Sequence, residues 1–310
     1  MKKFDFPQQT HFYQGKVRDV YTINNNWLLM IASDRISAFD VILPRTIPFK
    51  GQALNQVAAY MLRATQDICQ NWLVSTPAAN VSLGKKCLPF KIEMVVRGNL
   101  TGHAWRTYQQ SKRILCGAEM PDNMKENDFF PSPIITPSTK AAAGHDEDIS
   151  KEEIIQQGLA SKDEWEKLSK TALALFERGK QIASSHGLIL ADTKYEFGKI
   201  GEELYLMDEI HTPDSSRYFY AKDFEEKQTK GERQKQLSKE FVREWLIENN
   251  FMGQAGQQVP NMSDDWVDAI SKRYIELYEI LIGEKFNPAP LTDEILYENI
   301  LLELKTRGII

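Results

Sequence analysis

The N-terminal part of the chain alternates between short apolar runs and polar turns. The runs cover residues 17–23, 27–32 and 38–43. Runs of this length bounded by turn residues predict strands, whereas apolar positions at spacings of three and four within 53–64 predict a helix. Residues 89–97 return to strand-like alternation. This order predicts a small antiparallel β-rich lobe that ends at residue 97.

Helical spacing is more common in the rest of the chain. Ser161 and Glu164 form a capping box ahead of apolar residues spaced by three and four, and Gly187 ends this pattern. The same spacing predicts two further helices over 266–281 and 292–304. The second part of the chain is therefore predicted to be rich in helices, with strands only in a central segment.

The length of the chain allows two lobes, since 310 residues and 35.6 kDa exceed what one small core usually needs. We predict an α+β fold in which residues 1–97 form the β-rich, nucleotide-binding lobe. Residues 98–310 are predicted to form a larger mixed α/β lobe, which binds substrate and metal and includes the C-terminal helices.

The segment 190–219 combines carboxylates with phosphate-type donors around one predicted hairpin. Asp192, Lys194 and Glu196 alternate with uncharged residues, so a strand would project all three from one face. The returning apolar strand is interrupted by Asp208, and carboxylate oxygens suit magnesium. A shift of one residue in the pairing would separate Glu196 from Asp208, so a shared metal depends on a register that the sequence leaves open.

The loop after this hairpin, Thr-Pro-Asp-Ser-Ser-Arg, is rich in hydrogen-bond donors. Ser215 offers a hydroxyl and Arg217 a guanidinium fork, which suit a phosphate group. A solvated hairpin and loop is the alternative for each residue taken alone. Their grouping favours a site, because carboxylates in an apolar strand need a cation or donors nearby.

Two motifs near the N-terminus also combine charge with turn residues. In the sequence Gly-Lys-Val-Arg at 15–18, Lys16 and Arg18 are separated by one residue and would share a strand face, where they can neutralise a polyphosphate. A charged strand edge is the alternative. Residues 33–40 place hydroxyls and carboxylates, including Asp34, after an apolar strand; a capped turn is the alternative there.

Composition limits the function classes. The chain has 38 Lys and Arg against 43 Asp and Glu, a net charge of −5, so it has no general attraction for nucleic acid or an anionic membrane. Its 3 cysteines are widely spaced and indicate neither a disulfide framework nor a zinc site. No apolar run approaches the roughly 20 residues of a membrane span. A cytoplasmic protein is expected; the oligomeric state is open, with a monomer preferred.

Five separated motifs resemble those of the SAICAR synthetase family, the phosphoribosylaminoimidazole-succinocarboxamide synthases. They are GKVRDVY from residue 15, SDRISAFD from 33, PSTKAAAGHDEDIS from 137, LADTKYEFG from 190 and MDEIHTPDSSR from 207. The resemblance implies a two-lobed fold with ATP in the cleft. It also implies an ATP- and Mg²⁺-dependent ligase of purine biosynthesis, EC 6.3.2.6. Such an enzyme joins L-aspartate to the carboxylate of a phosphoribosyl carboxyaminoimidazole (CAIR) and gives SAICAR, ADP and phosphate.

The resemblance also implies roles for individual residues. ATP is expected to bind at Gly15, Lys16, Val17, Arg18, Lys140 and Glu196, and the metal at Glu196 and Asp208. The two substrates are expected at Ser37, Arg97, His103, His145, Asp146, Lys194, Ser215 and Arg217. Catalytic roles fall to Lys140 and Asp208, with Asp34 as a candidate base for the aspartate amine. His103 stands where the family pattern has serine.

Two other functions compete with the ligase. A kinase-like phosphotransferase would share a β-rich lobe and metal carboxylates, but the chain lacks the HRD, DFG and GxGxxG motifs of protein kinases. A non-catalytic nucleotide-binding protein would not need Lys140, Glu196 and Asp208 together. The ligase is therefore preferred, and the phosphotransferase is the second hypothesis.

Overall fold

The structure is a computed structural model that describes residues 3–140 and 146–310. The strands are β1 (Gln9–Gln14), β2 (Arg18–Ile23), β3 (Trp27–Ala32), β4 (Ser37–Ala38), β5 (Val41–Ile42), β6 (Leu73–Ala78), β7 (Val81–Lys85), β8 (Leu88–Asn99), β9 (Ile114–Leu115), β10 (Ala118–Glu119), β11 (Phe129–Ile135), β12 (Ser138–Thr139), β13 (Leu188–Ile200), β14 (Glu203–Met207), β15 (Ser216–Tyr220) and β16 (Gln236–Leu237). The helices are α1 (Lys50–Ala64), α2 (Gly102–Gln109), α3 (Lys151–Gln156), α4 (Lys162–Ser185), α5 (Phe224–Lys230), α6 (Glu240–Glu248), α7 (Asp264–Ile282) and α8 (Asp293–Thr306).

The chain divides into two compact units. Unit 1 joins the chain up to Leu62 with Trp72–Lys86 and Lys239–Ile310. Unit 2 joins Arg63–Asn71 with Cys87–Ser238. Each unit has a sheet and helices, and the predicted α+β fold is confirmed.

Unit 1 contains a five-stranded antiparallel sheet in the order β1-β2-β3-β7-β6. Its core combines residues near the N-terminus, inward-facing residues of the strands and the buried side of α8. The buried members are Phe4, Phe6, Tyr21, Ile23, Leu29, Ile31, Val81, Leu83, Leu296, Ile300, Leu304 and Ile309. The first and last parts of the chain therefore share one hydrophobic core, whose burial is the main stabilising contribution to unit 1.

Unit 2 contains a seven-stranded sheet with the path β11-β8-β13-β15-β16, to which β12 and β14 add at β8 and β13. Helix α4 packs against β13 and β8. A Cβ atom added at Gly98 of β8 would lie 3.1 Å from the ring of Phe176 in α4, so the glycine permits close packing on this side. Because side chains alternate along a strand, the neighbouring residue Arg97 points to the opposite face.

Helix α4 begins where the sequence predicts. The Ser161 hydroxyl accepts a hydrogen bond from the backbone N–H of Glu164 at 3.2 Å, and the Glu164 carboxylate accepts one from the backbone N–H of Ser161 at 2.6 Å. This capping box satisfies two backbone donors that the first turn of a helix leaves without a partner. The predicted capping box is confirmed.

The two compact units differ from the predicted division at residue 97. Strand β8 continues through Arg97 to Asn99, and Arg97 pairs with Asp192 of β13. A boundary at this residue would cut a central strand of unit 2. The C-terminal residues group with the N-terminal sheet instead, because the apolar side of α8 packs into its core. Local patterns along a sequence do not report such long-range packing.

Hydropathy gives one further result for the helices. Within the two described ranges, no helix is long and apolar enough to cross a membrane.

Candidate active site

One face of the unit 2 sheet carries the charged residues that the sequence singles out. In the antiparallel pairing of β13 with β8, Asp192 lies opposite Arg97 and Glu196 lies opposite Glu93, with Lys194 between them along the strand. Directly opposite residues project to the same side of a sheet. The prediction that Asp192, Lys194 and Glu196 share a face is therefore confirmed. We call this side the charged face; α4 covers the other side.

The carboxylate end of the charged face comprises Glu93, Lys140, Lys194, Glu196 and Asp208. The Lys140 ammonium donates a hydrogen bond to the Glu196 carboxylate. The Lys194 Nζ atom donates to Glu93 Oε1 at 2.7 Å and lies 3.9 Å from Glu196 Oε1. Both glutamates are buried, so their charges need these ammonium partners.

Asp208 belongs to the carboxylate end through a turn. In the β13–β14 ladder Glu196 faces Met207, so a regular continuation would send the Asp208 side chain to the other face. Asp208 instead leaves the strand with φ = 53°. Burial lowers the pKa of Lys140, but Glu196 and then Asp208 outweigh it, so this pKa lies above its ordinary value. Asp208 is therefore within electrostatic reach of Lys140.

The same balance holds for Lys194. Burial lowers the pKa of this ammonium group, but Glu93, Glu196 and Asp208 raise it above its ordinary value. Lys194 therefore stays positively charged at neutral pH. The carboxylate end thus has three carboxylates around two ammonium groups, an arrangement that favours a further cation.

The arginine end of the charged face comprises Arg97, Asp192 and Arg217, all buried. Asp192 Oδ2 accepts hydrogen bonds from Nη1 of Arg97 at 3.2 Å and from Nη1 of Arg217 at 2.6 Å. The Nε atom of Arg97 donates to the hydroxyl of Thr136 at 2.8 Å. Two guanidinium groups therefore share one carboxylate. Burial lowers the pKa of Arg97, Asp192 raises it and Arg217 lowers it again, so an anion would relieve this crowding of positive charge.

Gly102 makes room for the arginine end. This first residue of α2 has φ = 57°, and a Cβ atom added to it would lie 2.5 Å from Nη2 and 2.7 Å from Nη1 of Arg217. The guanidinium therefore packs directly against the backbone where α2 begins. The first backbone N–H groups of a helix point outward, so this place combines a fixed cation with backbone donors and suits an anion.

His103 lies beside this position. Its Nε2 atom is 2.7 Å from Asp148 Oδ2, and both side chains are partly exposed. The hydrogen bond with His103 holds the pKa of Asp148 below its usual range. A pocket of about 360 Å³ opens here, and its lining includes His103, Arg106, Lys112 and Asp148. His103 therefore follows the glycine that contacts Arg217 and lines a pocket with several other charged groups.

The serines after the hairpin mainly hold their own loop. The Ser215 hydroxyl accepts a hydrogen bond from the backbone N–H of Thr212 at 3.1 Å, and the Ser215 N–H donates to the Thr212 hydroxyl at 3.2 Å. The Ser216 hydroxyl lies 2.7 Å from that of Thr193, on the α4 side of the sheet. Ser215 thus fixes the loop that leads directly into Arg217, and its predicted contact with substrate stays a prediction.

The N-terminal motif forms the β1–β2 hairpin of unit 1. Lys16 lies in the connection between the strands, whereas Arg18 begins β2. The expectation that strand alternation gives them a common face is therefore wrong for Lys16. Its ammonium pairs with the exposed Asp40, whereas Arg18 is buried. The Gly15 N–H donates to the Arg18 carbonyl at 2.8 Å, and a Cβ at Gly15 would approach that oxygen to 2.9 Å, so the tight turn favours glycine.

Asp34 and Ser37 lie in the segment of unit 1 that follows β3. The Asp34 carboxylate accepts a hydrogen bond from the backbone N–H of Gly51 at 2.9 Å, at the start of α1. This contact supports a helix-capping role. Ser37 is buried in β4. A role of Asp34 as a base and of Ser37 in substrate binding both stay predictions.

Two predicted substrate residues, His145 and Asp146, lie at the boundary of the described residues. His145 is outside the described residues. Asp146 is exposed, and its predicted contact with aspartate stays a prediction. No group of three or more His, Cys, Asp or Glu residues within 3–140 and 146–310 is placed to hold a metal by itself. Magnesium commonly uses one or two carboxylates together with substrate phosphates, so Glu196 and Asp208 remain a suitable pair.

Sequence reasoning did not single out Glu93 and Thr136. Glu93 had one available signal, since it is a lone charge in the otherwise apolar strand segment Ile92–Val96. Thr136 had none, because its role depends on a hydrogen bond to a residue 39 positions away.

The comparisons with known proteins assign this α+β fold, with its carboxylate-rich and arginine-rich ends on one sheet face, to the class of ATP-dependent ligases. A sequence model described as SAICAR synthetase matches residues 11–260. The chain therefore belongs to the SAICAR synthetase family.

Individual relatives agree with this assignment. A phosphoribosylaminoimidazole-succinocarboxamide synthase of Cytophaga hutchinsonii is 58% identical over 304 residues, 97% of this chain and 98% of the relative. One of Bacteroides thetaiotaomicron is 61% identical over 284 residues, 91% of this chain and 90% of the relative. A solved SAICAR synthase from Saccharomyces cerevisiae, complexed with SAICAR, has a TM-score of 0.76 and 34% identity and covers 89% of this chain and 95% of its own.

The family fixes the reaction. SAICAR synthetases catalyse the ATP-dependent ligation of L-aspartate to CAIR in purine biosynthesis, and this is the activity of the chain. The predicted family, ligase activity and EC class 6.3.2.6 are confirmed.

Proposed function

We propose that CAIR lies along the charged face, with its 5′-phosphate at the arginine end and its carboxylate at the carboxylate end. The supporting observation is that the two ends have opposite charge preferences on one side of one strand. Asp192 and Glu196 are four residues apart on β13, which corresponds to about 13 Å. A phosphoribosyl imidazole is long enough to bring a phosphate to one end and a reacting carboxylate to the other.

The chemistry explains the ammonium groups of the carboxylate end. A carboxylate is a poor electrophile because it is anionic and its leaving group would be oxide. Transfer of the γ-phosphoryl group of ATP to a carboxylate oxygen releases ADP. The aspartate amine then forms the C–N bond, phosphate leaves and the amine gives up a proton. Lys140 and Lys194 neutralise the negative charges that must meet here, so the residues act mainly by placement and charge neutralisation.

Magnesium would be held by Glu196 and Asp208. Their hard oxygen donors fit this ion, and the excess of carboxylates over ammonium groups leaves charge for it to balance. When bound, Mg²⁺ supplies neutralisation of the polyphosphate. Since Lys140 pairs with Glu196, its ammonium occupies a carboxylate that the metal would use. In the presence of metal, Lys140 is proposed to move to the ATP phosphates.

The β1–β2 hairpin is proposed to contribute to ATP binding through Gly15, Lys16, Val17 and Arg18. Support comes from the tight turn at Gly15 and from the two cations around it. Backbone N–H groups of a tight turn and nearby cations are common phosphate partners. His103, Asp146, Ser215 and Ser37 are proposed substrate contacts on the strength of the family motifs. A monomeric state and a cytoplasmic location remain predictions.

The test is ADP release by the purified protein with Mg²⁺, ATP, CAIR and L-aspartate, each omitted in turn. The proposal expects full release and succinocarboxamide formation only with all components. It also expects that Arg217→Lys chiefly raises the KM for CAIR, because the bidentate guanidinium fork that holds the phosphate is lost. Release that continues without aspartate would support the phosphotransferase instead, and an unchanged KM for CAIR in Arg217→Lys would contradict the proposed orientation.

A further inference from the structure

We propose that Glu93 is a positioning residue for the ligase reaction. It holds the ammonium group of Lys194 away from Glu196 and so leaves Glu196 able to bind a divalent cation. This inference rests on the proposed function, in which Glu196 is a metal ligand. It adds a residue that contacts neither metal nor substrate in the proposal and that acts through Lys194.

The first observation is a pair of like charges. Glu93 and Glu196 are direct partners in the β8–β13 ladder, and both are buried. Opposed like charges on neighbouring strands are destabilising, and buried carboxylates are costly unless cations compensate them. A stable sheet alone would be served better by apolar residues here. Glu93 therefore lowers stability, and its presence at this position indicates a role other than stabilising the sheet.

The second observation is the position of Lys194 between the two carboxylates. Its Nζ atom is at hydrogen-bond distance from Glu93, 2.7 Å, and clearly farther from Glu196, 3.9 Å. Glu196 Oε2 accepts a hydrogen bond from Lys140 instead, so among the described residues no ammonium lies at hydrogen-bond distance from Glu196 Oε1. If the charge of Glu93 were removed, Lys194 would be drawn to this oxygen. Glu196 would then face two ammonium groups, and a metal would have to displace both.

The test measures Mn²⁺ binding to the purified protein at saturating ADP, from the free-Mn²⁺ signal in electron paramagnetic resonance. Glu93→Gln keeps the size of the side chain and is expected to weaken Mn²⁺ binding about tenfold, within the range found for charged groups in contact. Glu166→Gln, on an exposed position of α4, is the matched control and is expected to change nothing. Circular dichroism and the melting temperature check that each variant folds.

A second background separates positioning from simple loss of charge. In a Lys194→Gln protein there is no ammonium for Glu93 to hold, so adding Glu93→Gln should change Mn²⁺ binding little. An equal loss in both backgrounds would overturn the proposal, because Glu93 would then act through its own charge or as a ligand. Unchanged binding in the single variant would overturn it as well.

Failure of the proposed function would look different. A wild-type protein that binds no Mn²⁺ with ADP, or whose binding survives Asp208→Asn, would contradict the metal site itself. Normal wild-type binding with an unaffected Glu93→Gln variant would contradict only the role of Glu93.

Discussion

The two faces of the unit 2 sheet differ in chemistry, and β13 contributes side chains to both of them. On β13, Asp192, Lys194 and Glu196 point to the charged face, whereas Tyr195 and Phe197 are fully buried on the side that α4 covers. The buried side gains free energy from apolar burial. The charged face costs free energy, because buried carboxylates and guanidinium groups lose their hydration and compensate one another only in part.

This difference separates residues that stabilise the fold from residues that bind and react. A substitution on the buried face should reduce the free energy of unfolding and leave the activity of each folded molecule nearly unchanged. A substitution on the charged face should lower the activity and leave the free energy of unfolding nearly unchanged. Adjacent residues on one strand therefore give a direct test of the comparison.

The largest effect is expected for Phe197→Ala on the buried face. Phe197 is 1% exposed, and removing a buried ring of this size usually costs about 3–5 kcal/mol of unfolding free energy. Denaturant unfolding measures this loss, and kcat per folded molecule should stay within a few-fold of the wild type. Leu302→Ala, at a 65% exposed position, is the control. A variant as stable as the wild type would show that the buried face does not carry the core of unit 2.

Glu196→Gln is the matching change on the charged face. The variant keeps the side-chain size and loses one proposed metal ligand, so kcat should fall by about 10²–10³, the usual effect of removing one group that stabilises transition-state charge. The melting temperature should change little. Steady-state ADP release at several Mg²⁺ concentrations measures the loss. Unfolding as severe as that of Phe197→Ala would mean that Glu196 is a structural ion-pair partner.

A smaller effect is expected for Gly102→Ala, which tests the arginine end. The added methyl group would lie 2.5 Å from a guanidinium nitrogen of Arg217 and displace it. The KM for CAIR should rise about tenfold or more, as expected from one lost hydrogen bond to a charged group, with a smaller change in kcat. Gly158→Ala is the matched control, since Gly158 has a similar φ of 67° and nothing within 4 Å of its added Cβ. Equal KM values for the two variants would contradict a substrate role of this end.

The effect that is smallest near neutral pH, because it develops only in acid, concerns the buried face. His211 is fully buried and 2.7 Å from the Tyr195 hydroxyl. Burial lowers the pKa of His211 to about 3, whereas in the unfolded chain it is about 6.5. The unfolded state therefore binds a proton first as pH falls. Stability from this group is complete above about pH 6.5 and declines by about 1.4 kcal/mol per unit down to the folded pKa.

The measurement for His211 is the free energy of unfolding from pH 7 down to the lowest pH at which unfolding stays reversible and two-state. His211→Gln should be less stable at neutral pH but should show a shallower decline. Tyr195→Phe keeps the titrating group and should retain the wild-type slope. Parallel curves for the wild type and His211→Gln would show that other groups control the acid response.

The sequence was sufficient for features that depend on local periodicity. Alternation along β13 placed Asp192, Lys194 and Glu196 on one face, and the capping box located the start of α4. It was insufficient where the structure depends on the backbone angle of a single residue or on a contact between distant residues. The positive φ of Asp208 interrupts the regular alternation of β14 at this residue. A propensity argument does not reveal such an angle for a single aspartate.

Long-range partners were also outside the reach of local patterns. Asp192 bridges Arg97 and Arg217 because β13 pairs with both β8 and β15. These two arginines lie 95 and 25 residues from Asp192 in the sequence. The position of Lys16 in a turn depends on where the β1–β2 hairpin closes. The five sequence motifs still identified the correct family, because a motif match depends on residue identity and not on these long-range contacts.

The shared core of unit 1 has a consequence for how the chain is made. Its N-terminal sheet packs against α8, which follows unit 2 along the chain, whereas unit 2 is almost one continuous stretch, Cys87–Ser238. During translation the ribosome therefore releases unit 2 before it releases α8. Domains generally fold as units as they emerge. The inserted unit can therefore fold first, and the newborn N-terminal strands must wait for α8 before this helix covers their apolar side.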